Sequence, residues 1–441
     1  MRSQADALAL AERILNLASG ADQAEVTVTI DDSAYSRFAG NYVPENLNGA
    51  QTDIQLTYVK DQRLGSASTN DVSDAGLRRL VASATDIASR VPANHEFVSL
   101  AVKAPIAQPV KSVYASTLNA TPDDRIDKLL PVFTRMRQSQ LSSSGFTMTQ
   151  HSVYAVANSL GVRAAFESTY SGIEIKAMAP QTSGFAEYFS RDYATLNAGE
   201  RADLAASKAT VSLTPADFPP GTYTVILEPP AFVDCLNNVY EAMNAGGVLE
   251  NQNSWMTGRI GKPLFSPNVT VVDDWSNPLV AGQPFSSDGA PTQKLTLIEG
   301  GVPKAYVSST YLANKYKIPN TGHDGYPINA VLSPGTQTRE QLIASVERGI
   351  LVSRTWYTRM VDPREVVITG LTRDGVYLIE NGKLTRTLKN FRFYTSMLTA
   401  LADCEFGNRL YLAESADTPG TLAVPVAKIA KFAFSAQTSF A

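Results

Sequence analysis

Period-two alternation is the feature that most constrains this chain. Glu25-Val-Thr-Val-Thr-Ile30 and Asp53-Ile-Gln-Leu-Thr-Tyr-Val59 alternate polar and apolar residues, a pattern that a strand buried on one face satisfies and a helix does not. Strand-like runs recur at 144–149, 151–157, 162–169 and 171–179, and Asn158-Ser-Leu-Gly161 reads as the turn between two of them. An antiparallel meander follows. Glu380-Asn-Gly-Lys383 is a type I′ hairpin signal between Val376–Ile379 and Leu384–Thr387. Residues 255–310 are punctuated by Gly and Pro, with short strands such as Val269–Asp273.

Helical spacing interrupts the strands at definite places. Leu8, Leu10, Ala11, Ile14 and Leu15 predict a helix over 4–18 closed by Gly20, and Glu12, Arg13 and Asn16 break any signal-peptide core. Leu77, Leu80, Val81, Ala84 and Ile87 predict one over 71–89, capped by Asn70 or Ser73. Thr121-Pro-Asp-Asp opens another, with Ile126, Leu129, Leu130 and Phe133 as its stripe. Further helices are expected over 192–209, from about Pro230 to Ala245 after the strand Tyr223–Leu227, and over Thr338–Arg348, ended by Gly349. Val98–Val110 reads as a linker. The fold class is therefore α+β, in three parts: an N-terminal α/β segment (1–100), a central helix plus antiparallel strand meander (101–215) and a β-rich C-terminal domain (216–441).

Composition excludes several classes. Of 441 residues, 44% are apolar and 18% charged, enough to build cores and too ordered for a disordered chain. The net charge of -4 leaves no basic footprint for nucleic acid. No apolar run approaches the roughly 18 residues of a membrane span. Two cysteines, Cys235 and Cys404, suit a reducing cytoplasm and cannot make a disulfide framework.

The chemistry is sparse. Three histidines, His95, His151 and His323, rule out most histidine-rich metal sites. Glycine-rich nucleotide loops, a GxSxG elbow, CxxC and HExxH are missing. His95-Glu96 finds no second histidine. Tyr311-x-x-x-Lys315 near Ser308 has a dehydrogenase spacing without the dinucleotide turn that chemistry needs. Asp273-Asp274 end a strand facing opposite ways, so they cannot share a proton; capping or holding a cation stays open, for them and for His323. Cys235 and Cys404 sit on apolar helical faces as small hydrophobes.

The longer blocks carry a resemblance. Ala344-Ser-Val-Glu-Arg-Gly-Ile-Leu-Val-Ser-Arg-Thr-Trp-Tyr357, Val361-Asp-Pro-Arg364, Ile368–Lys383 and Lys389-Asn-Phe-Arg-Phe393 resemble the TldD/PmbA family. So do Gly20–Val26, Ser36-Arg-Phe-Ala39, Gly65–Asn70 and Ala155–Val162. The resemblance implies a two-subunit metallopeptidase acting on small or unfolded peptides, in a family also labelled a modulator of DNA gyrase. Its TldD-type subunit carries HExxxH on a helix plus a distant cysteine as zinc ligands; the PmbA or TldE-type subunit lacks them. In this chain the corresponding helix reads Val239-Tyr-Glu-Ala-Met-Asn-Ala-Gly-Gly-Val-Leu-Glu250, with Tyr240 and Ala245 in the histidine places beside Glu241; a second register puts Ala242 and Gly247 there. Thr418-Pro-Gly-Thr-Leu422 is similar to the cysteine segment, with Leu422 in that place.

The expectation is a pseudoenzyme partner subunit with no catalytic residue, cofactor or metal of its own. Zinc would reside in a TldD-type partner, and the two would form a heterodimer. A homodimeric peptide-binding protein of the same fold is the alternative, and a hydrolase of other chemistry would need a nucleophile–base pair the sequence does not display. Trp255, Arg259, Trp275, Trp356 and Tyr357 are the expected partner or peptide contacts, since aromatic and arginine side chains anchor interfaces.

Overall fold

The computed structural model describes residues 3–415 and 421–438. Helix α1 (Gln4–Leu17) starts on a Ser3 side-chain cap. Strands β1 (Gln23–Ala39), β2 (Tyr42–Lys60) and β3 (Arg63–Thr69) follow, then α2 (Asp74–Arg90), capped by Ser73 rather than Asn70. Next come α3 (Ala115–Leu118), α4 (Pro122–Gln138), β4 (Ser142–Asn158), β5 (Arg163–Met178), β6 (Ser183–Ser190) and α5 (Ala198–Ala209). Thr121 and Asp124 cap α4 reciprocally, as its opening sequence dictates.

The six strands make one antiparallel sheet in the order β3-β2-β1-β4-β5-β6. β1 pairs with β4 from Glu25↔Asn158 to Ala39↔Ser144. The boundary expected at residue 100 therefore does not separate two units: segments 1–100 and 101–215 share a sheet, joined by a stretch without helix or strand at 98–114. The breaks expected at 150 and 170 are not breaks either. Gln150 pairs with Tyr170 in the middle of continuous strands, and their polar atoms mark faces left uncovered by helices, not turns.

Helices cover one face of the sheet in two groups. α1 and α2 lay Ala7, Leu10, Ile14, Leu77 and Leu80 on Val26, Val28, Ile54, Leu56 and Val153. α4 and α5 lay Leu129, Val132, Phe133, Ala202 and Ala205 on Phe38, Ile173, Ile175, Ala177 and Ala186. Each such Leu, Ile, Val or Phe contributes about 1.5–3 kcal/mol on burial.

The C-terminal half comprises β7 (Gly221–Leu227), α6 (Pro229–Glu241), β8 (Val271–Asp273), β9 (Leu295–Glu299), β10 (Val302–Pro303), α7 (Thr310–Tyr316), β11 (Ala330–Leu332), α8 (Arg339–Ala344), β12 (Arg348–Asp362), β13 (Val367–Glu380), β14 (Lys383–Thr387), β15 (Phe391–Ser396), α9 (Met397–Leu401), β16 (Cys404–Phe406), β17 (Tyr411–Glu414), β18 (Thr421–Val424) and β19 (Ala427–Gln437). One sheet runs β12-β7-β19-β15-β13-β14, and a further β12–β13 pairing closes it into a ring. The other runs β10-β9-β8-β11-β18-β17. α6 lies between them in one continuous core with Leu227, Phe232, Leu236, Trp255, Ile350 and Leu422.

Three helix boundaries differ from the sequence expectation. The 192–209 helix begins only at Ala198, after a single tight turn at Tyr193–Thr195. α6 stops at Glu241, because Ala245 N–H donates to Val307 O instead of continuing the helix. The 338–348 helix stops at Ala344, and Gly349 lies inside β12, paired with Thr224 of β7. A side chain at Gly349 would put its Cβ 2.5 Å from the Thr224 carbonyl oxygen, so the glycine serves strand packing and not a helix end. The hairpin is as expected: Asn381 and Gly382 both have positive φ, 49° and 72°, which type I′ requires.

The two halves are tied by buried charge. Lys208 of α5 donates to Phe185 O of β6 (2.7 Å) and to Glu228, the residue before α6. Arg339 of α8 donates to the Glu228 Oε1 from Nε (2.9 Å) and Nη2 (2.7 Å). Burial alone would raise the Glu228 carboxyl, but Lys208 and Arg339 overcome it and hold it down at about 2. A carboxyl depressed from 4.5 stabilises the fold above that value and loses the contribution as pH falls toward 2. Glu228→Gln, which strands two cations, should lower unfolding free energy by about 3–5 kcal/mol at neutral pH. In denaturant titrations at pH 2.5, 4.5 and 7, the gap between wild type and variant should shrink toward the lowest pH.

Candidate functional site

Cross-strand register builds the site. On β5 and β6, Ile173 and Ile175 pair with Tyr188 and Ala186 beneath the helices. Strand alternation therefore turns the intervening pair, Glu174 and Glu187, to the opposite face. There β6 meets β12, β13 and β17 of the C-terminal half. Glu414 ends β17, and Asp234 faces the same region from the second turn of α6.

The result is a carboxylate cluster at the seam. Asp234 is 2% exposed; its Oδ2 accepts from Thr355 Oγ1 and its Oδ1 from Ser415 Oγ, both at 2.6 Å. Arg354 opposes the negative charge from β12, its guanidinium 4.8 Å from the Phe185 ring centre and 5.8 Å from that of Trp356. Tyr170 stacks on Phe189 at 5.6 Å and hydrogen-bonds Glu414. Glu187 Oε1 is buried without a hydrogen-bond partner.

These groups cannot all ionise. Burial first, then Glu174 and Glu414, push the Glu187 carboxyl well above the usual range, against Arg354. Burial also raises Glu174, with Arg354 opposing, and raises Glu414, with the Tyr170 hydroxyl opposing. Burial thus favours the neutral form of Glu187, which can donate as well as accept. It borders a cavity of about 120 Å³ lined also by Phe185, Phe189, Leu204, Leu279 and Tyr411. That volume holds several waters or one small side chain. Arg201, Lys208, Arg339 and Arg409 also line the cavity, so the arrangement suits a neutral polar group such as an amide and not a further cation.

The metal positions implied by the resemblance do not assemble. Tyr240 is 2% exposed, and its hydroxyl is buried without a hydrogen-bond partner near Asp273. Glu241 ends α6 on the surface, and Ala245 lies past the helix, so the three do not form a ligand row. Leu422 is 3% exposed in the apolar core, while residues 418–420 of its segment lie outside the described residues. The helix residue that actually faces β17 is Asp234, whose two oxygens are occupied by hydroxyls. Among the described residues no three His, Cys, Asp or Glu side chains converge as ligands. A catalytic zinc needs three such donors and an open position, so the residues present do not fit one.

The remaining sequence candidates sort by burial. Trp255 is 1% exposed and donates Nε1–H to Val239 O at 2.9 Å, edge-on to Phe265; it braces α6 and is no surface contact, a correction to the expectation. Trp275 is half-buried, bonded to Thr292 O. Arg259 clips the 364–365 loop through Arg364 O and Glu365. Trp356 and Tyr357 sit at an irregularity of β12 where the register shifts between Trp356 and Arg359; Tyr357 has φ 53° and is 58% exposed. Asp273 is buried and accepts from Asn329 N (3.0 Å), with His323 Nε2 3.2 Å away but outside hydrogen-bond geometry. Asp274 points outward to Lys294 at 2.6 Å. Burial pushes the Cys404 thiol up to about 12 and raises Cys235 too, so both are inert.

Sequence reasoning missed Asp234, Glu174, Glu187 and Glu414. The available signal was a charge inside an apolar run: Asp234 interrupts Ala231–Leu236, and Glu187 interrupts Phe185–Phe189. A raised carboxyl favours the fold fully below the unfolded value and loses that contribution as pH rises toward the folded one. Glu187→Gln should therefore flatten the decline of stability as pH rises above the ordinary carboxylate range, so that in thermal melts at successively higher pH the variant gains on wild type. A wild-type-like pH profile would mean Glu187 is not held neutral.

Comparison with known proteins agrees with this architecture. Residues 220–436 match the PmbA/TldA metallopeptidase C-terminal domain, and residues 24–88 match domain 1 of the same family. The metalloprotease PmbA of Escherichia coli O157:H7 is 24% identical over 392 residues, 84% of each chain. The crystal structure of TldE from Thermococcus kodakarensis superposes with a TM-score of 0.84 at 20% identity, covering 96% of this chain and 100% of that one. A Thermotoga maritima structure, described as a candidate modulator of a DNA gyrase, gives 0.83 at 16% identity over 97% and 99%. The chain belongs to the PmbA/TldD family, with its α+β fold and metallopeptidase-type C-terminal domain.

Proposed function

We propose that this chain is the non-catalytic, TldE-type subunit of a metallopeptidase assembly acting on small or unfolded peptides. In that assembly a TldD-type partner supplies the zinc. The observation that carries this reading is the state of α6. Its seam-facing acid, Asp234, is held by Thr355 and Ser415, while Tyr240 and Leu422 are packed into the core and Ala245 is buried beyond the helix end. A fold of this kind kept without its ligand set supports a role in holding and shaping a partner, within a reducing cytoplasm as the free buried thiols suggest.

The surface at the β12 irregularity supports partnering. Tyr357 projects from a left-handed backbone, which a non-glycine residue adopts at a cost of order 1–3 kcal/mol. It packs edge-on against Trp356 at 5.3 Å. Arg373 stacks on Trp356 at 4.3 Å and Arg359 on Tyr357 at 5.4 Å. Aromatic and arginine side chains together make interface hot spots.

The test is co-purification with a TldD-type subunit from the same source. A 1:1 complex should carry zinc and cleave an unstructured peptide, and this chain alone should do neither. Stoichiometric zinc with chelator-sensitive cleavage from this chain alone would refute the reading, and a homodimer that ignores the partner would favour the stand-alone peptide-binding alternative. Trp356→Ala with Tyr357→Ala should weaken the complex by about 30-fold or more without lowering this chain's melting temperature.

A further inference from the structure

The helix layer over the N-terminal sheet has a gap. Along β1, Val26, Val28 and Ile30 lie under α1 and α2, and Phe38 lies under α4. The residues between them on that face are Asp32 and Ala34, which lie under neither group, and Ser36, which meets α4 through Arg125. Their cross-strand neighbours are polar except Ala50, which pairs with Asp32. Ser36 pairs with Asn46, Ala34 with Asn48 and Thr149, and Asp32 with His151. A groove of about 600 Å³ runs over this row.

Arg125 of α4 reaches into that groove and is 1% exposed. Its contacts are neutral and long: Nε to Ser36 Oγ at 3.2 Å, Nη1 to Ala120 O at 3.4 Å, Nη2 to Asn48 Oδ1 at 3.5 Å. Among the described residues it has no ion pair. The adjacent carboxylate, Asp124, is turned away into the cap of Thr121. A buried charge is costly unless paired. Among the described residues two other enclosed cations, Lys208 and Arg339, meet Glu228, whereas Arg191, like Arg125, donates to neutral oxygens. A guanidinium is a planar fork of donors that matches a carboxylate edge to edge.

We propose that Arg125 anchors a site for an organic monocarboxylate, such as the free C-terminus of a short peptide or a small organic acid. Asn48 and Thr149 line the same groove and offer amide and hydroxyl partners to the atoms behind the carboxylate. The walls also carry Asp32 and Glu167, the latter bonded to His151 Nε2 at 2.7 Å. They disfavour a phosphate dianion over a single negative charge. The site lies on the helix side of the sheet, away from the seam, and does not depend on the subunit role proposed above.

The experiment is calorimetric titration of the full chain with acetylglycylglycine, its C-terminal amide, acetate and inorganic phosphate. The free acid should bind saturably with a Kd of about 1 mM or tighter, and the amide at least tenfold more weakly. Acetate binding as tightly as the peptide acid would identify a small acid as the ligand, and weaker acetate a peptide end. Asn48→Asp places a carboxylate beside Arg125 from within; it should raise the melting temperature and abolish binding of the acid. Arg125→Gln should also abolish it. Equal binding of acid and amide, tighter phosphate, no saturable binding, or an Asn48→Asp variant that is less stable or still binds would each overturn the proposal.

Discussion

The Lys208–Glu228–Arg339 cluster is the interaction on which the rest of the arrangement depends. Glu228 is the residue before α6, Lys208 belongs to the helix layer of the N-terminal sheet, and Arg339 opens α8. Holding Glu228 fixes where α6 starts, and the α-helical rise then fixes where Asp234 lies relative to β17. A buried ion cluster is weak evidence of net stability, because desolvation offsets most of the Coulomb gain. Its effect is directional. Any displacement of α6 leaves a charge unpaired inside the protein, at far greater cost than a slipped apolar contact. The interface between the halves is thereby held in one geometry.

The seam handles buried acids in two ways. Glu228 is ionised and paired. Glu187 is pushed toward its neutral form by burial, as is Glu25 near the start of β1, where burial and then Asp288 push its carboxyl up to about 8. Glu25 stands on the face of β1 opposite Val26 and Val28, so it too looks away from α1 and α2. Both of these raised acids sit between the sheet and the C-terminal half. Their contributions weaken as pH rises, while that of Glu228 weakens as pH falls. The contact between the halves is therefore most favourable in an intermediate range, set by opposing titrations of groups in one interface.

Much of the fold was legible because each element carried its own local cause. The Thr121–Asp124 capping box, the Asn381-Gly382 turn and the alternation in β1 and β2 need no distant partner to be read. The misreadings have a common origin in tertiary pairing. Residues 346–349 look helical by composition, but parallel pairing with β7 makes Gly349 a strand residue. Ala245 looks like the end of α6, but its N–H is taken by Val307. Gln150 and Tyr170 look like breaks only if both faces of a strand are assumed to meet a core.

The site was less legible than the fold for a physical reason. Asp234, Glu174, Glu187 and Glu414 come from an α-helix and three strands far apart in sequence, and no spacing rule links them. Their only local mark is a charge in an apolar context, which sequence alone cannot distinguish from a surface position. The zinc-helix positions are a different case. Motif spacing puts Tyr240, Glu241 and Ala245 where ligands would stand, and α6 ends at Glu241, so Ala245 does not continue that helical row. Tyr240 and Leu422 then answer to packing: both lie in the largest apolar core with Phe232, Leu236 and Trp255. Restoring ligands at these positions would place ionisable side chains in that core before any metal could compensate them. On the proposed reading, the helix that would hold zinc in a TldD-type partner serves here as a core element, with Asp234 tying it to the strand end beside the seam.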